Sequence, residues 1–175
     1  MRRQNHPSGF TLIEVMTAIV VFSIGLIGLG FLMTSAVRSN QVGFQHTQAV
    51  FAAETLLDRM RANLRGVNDG RYTGTVSGAT ATPGNLCGAT SPCSPQDVAT
   101  RDLWQWGRLI GQTLPNASGT VACVRPAGAF GVPVGTDQSI PTYDGHCTIT
   151  IAWTEKTESN NAAGVAAQFQ WVVRP

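Results

Sequence analysis

Apolar and polar positions divide the chain into three regimes. From Val15 to Val37 no side chain is charged, a run of 23 residues (37 − 15 + 1) whose only polar groups are hydroxyls. At ~1.5 Å per helical residue this run crosses a hydrocarbon core of roughly 30 Å. Past it, Ala49, Ala53, Leu56, Met60 and Leu64 recur at helical spacing, Val50 and Leu57 widen the stripe, and Gln45, Gln48, Thr55, Asp58 and Arg59 lie opposite. The pattern predicts one helix over residues 10–65, apolar all round in 10–37 and amphipathic in 38–65. Asp58 is spaced to pair with Arg61 or Arg65 on the open face. Arg59, Arg61 and Arg65 suit the negative end of the helix dipole, and Gly66 reads as the stop.

The third regime, residues 66–175, reads as a loop-rich globular domain. Gly66 to Pro95 is rich in Gly, Thr, Ser and Pro and is expected to be an irregular connector. Gln96 to about Thr113 reads as a helix with Val98, Leu103, Trp106, Leu109 and Ile110 on its apolar side and Pro115 beyond its end. Trp104 and Trp106 are two apart, so Trp106 is assigned to the core and Trp104 to a sheet edge or a neighbouring molecule. A short strand is expected at Thr120–Arg125. Cys147, Ile149, Ile151 and Trp153 alternate with Thr148, Thr150, Ala152 and Thr154, and Ala167, Phe169, Trp171 and Val173 alternate with Gln168, Gln170 and Arg174. This period of two predicts two strands, joined by the polar stretch Glu155–Val165 into a hairpin. The resulting fold class is α+β, a long helix packed on a small antiparallel sheet.

Composition narrows the function classes. Gly (19) and Pro (9) together make 28 of 175 residues, charged residues are 13%, and the net charge is +2. Without residues 1–9, which hold Arg2 and Arg3, the remaining 10 basic and 10 acidic residues cancel. Nucleic acid thus has no electrostatic footprint unless the fold gathers Arg71, Arg101, Arg108 and Arg125. Arg2 and Arg3 before the apolar run place the N-terminus in the cytoplasm and the domain across the membrane. The four cysteines all fall in the domain, which agrees with an oxidising compartment.

One feature of the apolar run is out of place: a carboxylate, Glu14, at its mouth, preceded by Ser8-Gly9-Phe10-Thr11-Leu12-Ile13. An ionisable group there is costly to bury and marks a functional site. An ordinary secretory signal, with Thr34-Ser35-Ala36 as its cleavage site, has a shorter apolar core and no need of Glu14. The mature N-terminus distinguishes cleavage after Gly9 (Phe10), secretory cleavage (Val37) and an uncleaved anchor (Met1). Within the run, Gly25, Gly28 and Gly30 each cost about 1 kcal/mol against alanine, and fit either close helix packing or a segment able to unwind.

Gly9, Phe10, Thr11-Leu12-Ile13 and Glu14 resemble the prepilin signature of type IV pilins and type II secretion pseudopilins. The resemblance implies a leader peptide at residues 1–9, cut between Gly9 and Phe10 by a membrane-embedded prepilin peptidase that then N-methylates Phe10. It implies that Glu14 neutralises the new amine of an adjacent subunit inside a bundle of helices. The implied location is the inner membrane before assembly and an extracellular pilus after it. The implied partners are other pilins, the peptidase and the assembly platform. The stretches Ala53–Arg61 and Asp102–Trp106 look most like PilV-type minor pilins, which incorporate into, prime or cap a type IV pilus and support adhesion or twitching motility. A type II secretion pseudopilin is the alternative, and a filament-displayed adhesin or DNA-binding module using loop 126–145 is another.

The cysteines Cys87, Cys93, Cys123 and Cys147 allow three pairings. Cys87–Cys93 would close a short Gly/Pro loop and Cys123–Cys147 would join two strands, and this combination is favoured. A metal site with His146 beside Cys147 lacks the usual ligand spacing, so no metal and no cofactor are expected. His6 and His46 have no partner by spacing. Asp137 and Asp144 read as solvated turn residues. No catalytic signature is present, and the chain reads as a structural subunit rather than an enzyme.

Overall fold

The computed structural model describes residues 9–88, 91–125, 143–155 and 164–175. It contains α1 (Leu12–Ala62), α2 (Leu64–Asn68), β1 (Gly74–Ser77), α3 (Pro95–Thr113), β2 (Ser118–Val124), β3 (His146–Glu155) and β4 (Val165–Val173). The chain divides into two units at Gly43/Phe44, taken here in turn.

The first unit is the N-terminal part of α1. Every large apolar side chain from Phe10 to Val37 is at least half exposed, so this stretch has no core of its own. Its polar residues turn inward on the helix: Thr17 Oγ1 donates to Glu14 O (3.0 Å), Ser23 Oγ to Ile19 O (2.7 Å) and Thr34 Oγ1 to Phe31 O (2.8 Å). Spent on the preceding turn, these hydroxyls no longer ask for water, which suits an apolar solvent. The helix is continuous through Gly25, Gly28 and Gly30, and nothing lies within 4 Å of where a Cβ would stand at any of them.

The second unit, Phe44–Pro175, is an α+β domain. Its sheet is antiparallel in the order β1-β2-β3-β4. The inward side chains of β3, Cys147, Ile149, Ile151 and Trp153, are all buried, and β4 places Val173, Trp171, Phe169 and Ala167 opposite them in register. On β4 only Val173 is fully buried, because this strand forms the rim of the sheet. The helix α1 contributes Ala49, Ala52, Ala53, Leu56, Leu57 and Met60 to the core. The three alanines let the helix approach closely, and the Trp106 indole donates to Ala52 O at 3.0 Å. Gly119 on β2 completes that contact: a Cβ there would collide with the Trp106 ring and the end of Ile110. At Gly111, a Cβ would stand 2.6 Å from Gly78 Cα, so α3 and the chain after β1 pass almost backbone to backbone.

Several expectations are revised. The long helix ends at Ala62 rather than Arg65: Asn63 leaves helical geometry, caps α2 by accepting from Gly66 N (3.2 Å), and donates to Pro95 O (2.8 Å). Gly66, expected as a stop, is instead buried inside α2. The connector holds a fourth strand, β1, which pairs Val76 with Gly119. The core stripe includes Ala52, while Val50 is exposed and Leu64 belongs to α2. Arg59, Gln45 and Gln48 are half-buried at the margin of the packed face rather than opposite it. The strand expected at Thr120–Arg125 runs from Ser118 to Val124.

Candidate functional site

The start of α1 is built around Thr11 and Glu14. Thr11 stands immediately before the first helical residue, and its Oγ1 accepts from Glu14 N at 3.4 Å while its carbonyl accepts from Glu14 N (3.1 Å) and Val15 N (3.3 Å). Thr-x-x-Glu is the arrangement that closes a helix N-terminus, and a carboxylate in the first turn complements the dipole. Local helix chemistry therefore places Glu14 without explaining why it is set in apolar surroundings. Phe10, Val15, Ala18, Ile19 and Phe22 line the same helix face. Among the described residues no side chain pairs with the Glu14 carboxylate. Gly9 and Phe10 are exposed and precede the helix, and nothing lies within 4 Å of a Cβ built at Gly9. The bond between them is therefore accessible to an outside protein. Residues 1–8, including Arg2, Arg3 and His6, lie outside the described residues.

In the domain, a group that the sequence did not single out is the most connected. Asp102 on α3 is buried, the only charged side chain so placed among the described residues. Tyr72 Oη donates to Asp102 Oδ2 at 2.7 Å, and Arg59 Nη1 lies 3.3 Å and Arg101 Nη2 3.5 Å from Oδ1. Arg59 also donates to Gln105 Oε1, and Asn63 Nδ2 reaches Tyr72 Oη at 3.3 Å. Burial first, and then the carboxylate of Asp102, push the Tyr72 hydroxyl well above its ordinary value. The cluster thus holds a proton and a salt bridge together at the junction of α1, α2 and α3. Its centre, Asp102 and Tyr72, is buried while Arg59 and Gln105 reach the surface, an arrangement that suits fastening rather than chemistry.

The cysteines form two bonds, Cys87–Cys93 and Cys123–Cys147; the second joins residues directly opposed across β2 and β3, with Cα atoms 4.0 Å apart. No free cysteine remains. His46 has partners that spacing did not reveal: its ring meets Trp153 edge-on (centroids 5.0 Å apart) and Nε2 lies 3.4 Å from Glu155 Oε1. His146 is exposed opposite Val124. Trp104 is half-buried, with the Arg108 guanidinium 5.6 Å over its ring. Of the four arginines considered for nucleic acid, Arg71 is exposed and the other three are engaged separately: Arg101 with Asp102, Arg108 with Trp104, and Arg125 with Asn68, Asp144 and the Tyr143 ring. Loop 126–145 lies outside the described residues up to 142, as does Asp137. Among the described residues no three His, Cys, Asp or Glu side chains gather as a metal-binding group.

The model of the prokaryotic N-terminal methylation motif matches residues 4–30. The chain therefore carries, over Gly9, Phe10 and Glu14 and the start of its apolar helix, the signature that type IV pilins and pseudopilins share. No curated protein and no solved structure matches the chain. The motif and the apolar helix fit anchoring in a membrane before assembly.

Proposed function

We propose that this chain is a minor pilin of PilV type, a subunit that enters, primes or caps a type IV pilus through its N-terminal helix. In this reading residues 1–9 are a leader, prepilin peptidase cuts between Gly9 and Phe10, and the new amine of Phe10 is methylated. Residues 10–65 then carry assembly and residues 66–175 are displayed outside the cell. The observation that supports it is Glu14: a carboxylate without a partner among the described residues, on a face of Phe10, Val15, Ala18, Ile19 and Phe22, inside a matched methylation motif.

The physics of that position favours an assembled state. Two opposite charges a few ångströms apart at low effective dielectric attract by several kcal/mol, and desolvation removes much of the gain. A Glu14 buried among neighbouring helices without an amine would lose several kcal/mol. The pair then acts as a register that rejects misplaced subunits more than as a source of affinity. A type II secretion pseudopilin uses the same logic, and the methylation motif is common to both.

Intact-mass measurement of the protein purified from its own membrane tests the proposal. The expected mass is that of residues 10–175 plus one CH2 (a methyl in place of an amine hydrogen), less four hydrogens for two disulfides. Gly9→Val is expected to leave the leader attached. Glu14→Val is expected to be cleaved normally and to be lost from sheared filaments. Native protein that retains residues 1–9, or filaments that incorporate Glu14→Val at the normal level, would overturn it.

A further inference from the structure

The side of α1 that faces away from the domain core carries a pattern that folding leaves unused. Ala49, Ala53, Leu56 and Met60 are fully buried. On the opposite side, at 100° per residue, fall Phe44, Thr47, Phe51, Glu54 and Asp58. Phe44 is 61% and Phe51 57% exposed. Single exposed apolar residues are ordinary, but two phenylalanines two turns apart form a stripe. Lipid does not account for it, because headgroups reach only the first turns beyond the uncharged run and Phe51 stands fourteen residues after Val37 (51 − 37). Directly beyond the aromatics the stripe turns acidic. Asp58 is already shared with Arg61 at 3.6 Å, whereas Glu54 has no cation among the described residues.

A second exposed helix side in the same unit has the complementary chemistry. On α3 the buried positions are Ala99, Asp102, Leu103, Trp106, Gly107 and Ile110, and Arg101, Trp104 and Arg108 occupy the outer side. Asp97, at the start of this stripe, is turned back onto Ser94, and Arg101 gives an Nη to Asp102. Arg108 is the cation left without a carboxylate among the described residues, and it lies against the half-buried Trp104. Phe51 precedes Glu54 by three residues and Trp104 precedes Arg108 by four, about 4.5 and 6 Å along their helices, a difference of one residue's rise. Crossing the two stripes in parallel sets aromatic on aromatic and Glu54 on Arg108 in a single arrangement.

We infer that the Phe44–Phe51–Glu54 face of α1 docks the outer face of α3, at Trp104 and Arg108, of a second copy of this chain. The two faces are different patches, so the contact is head-to-tail rather than two-fold. Because it lies wholly within Phe44–Pro175, the inference goes beyond the assembly reading and needs neither cleavage after Gly9 nor Glu14.

With all four native cysteines paired, introduced cysteines supply the only thiols. Two differently tagged full-length chains, one Glu54→Cys and one Arg108→Cys, are co-expressed and oxidised mildly in the membrane. The expected product is a mixed-tag disulfide dimer. Phe51→Ala in the first chain is expected to lower its yield about tenfold, in line with loss of a buried aromatic. In chains without added cysteines, Glu54→Arg is expected to reduce co-purification of the two tags, and Arg108→Glu on the other chain to restore it. Three results would overturn the inference: Glu54→Cys chains joining to each other as readily as to Arg108→Cys, a mixed dimer indifferent to Phe51→Ala, or no mixed dimer together with failure of the charge exchange. The mass of the same sample reports leader cleavage separately, so failure of the assembly reading is distinguishable.

Discussion

At the scale of single residues, the domain depends on how one carboxylate is satisfied. Asp102 sits in an otherwise apolar helix face and is tolerated there because Arg59, Arg101 and Tyr72 bring it charge and a proton donor. Removing a member of such a set costs more than forming it gained, because the group left behind stays buried. Asp102→Ala is expected to lower the unfolding free energy by about 3 kcal/mol, and Tyr72→Phe by about 1–3 kcal/mol, measured by denaturant unfolding of the full chain in detergent. The raised Tyr72 hydroxyl adds a dependence on alkali. An unfolded tyrosine releases its proton near pH ~10, while the folded one retains it to higher pH. The folded state therefore binds more protons in that range, and stability is expected to fall as pH rises above ~10. Tyr143 is also raised, chiefly by burial, so an absorbance titration of the folded protein should show phenolate appearing at higher pH than in the unfolded chain.

At the scale of elements, α3 has the clearest local definition. Ser94 Oγ accepts from Asp97 N at 3.2 Å, Asp97 Oδ2 accepts from Ser94 N at 3.0 Å, and Pro95 opens the first turn. Ser94→Ala is expected to cost about 1 kcal/mol, seen as a lower midpoint of thermal or denaturant unfolding. The hydrogen bonds from Ser94 hold the Asp97 carboxyl below its usual range. A depressed acid stabilises the folded state above its unfolded value and ceases to do so as pH falls through its folded value. The deficit of Ser94→Ala should therefore shrink in acid. Elements also show what the sequence reveals and what it hides. The β3 alternation over Cys147–Trp153 was legible because every inward position is buried, so the period is unbroken. The four residues of β1 were not, since only Val76 is buried among them and the rest blend with a Gly/Thr/Ser connector. The break at Asn63 was hidden because its cause lies in Pro95 and Tyr72, which no local pattern brings near. Asp102 was hidden for the same reason: its partners Tyr72 and Arg59 stand 30 and 43 residues away. Glu14 was visible because its anomaly is local, one charge beside a run that has none.

At the scale of the whole molecule, two cross-links tie a loop-rich domain whose core is modest. Loop-closure entropy makes the wider one count for more. The pair Cys123→Ser and Cys147→Ser, which opens a sequence separation of 24, is expected to lower stability by about 3.5 kcal/mol in denaturant titrations. The pair Cys87→Ser and Cys93→Ser, with a separation of 6, should lower it by about 2 kcal/mol. Equal losses would show that the cross-links act on native packing rather than on the unfolded chain. The N-terminal unit is simpler in kind: from Phe10 to Val37 its one charged side chain is Glu14.

The rim strand β4 has a consequence for handling the protein. Its nine residues, Val165–Val173, contain no charge and no proline, the two devices by which natural sheets keep strangers from zipping onto an open border. A concentrated preparation offers each molecule many extended backbones to recruit. Storage should therefore produce slow, fibre-forming precipitation, and one lysine placed at an outward-facing glutamine of that border should keep the solution clear.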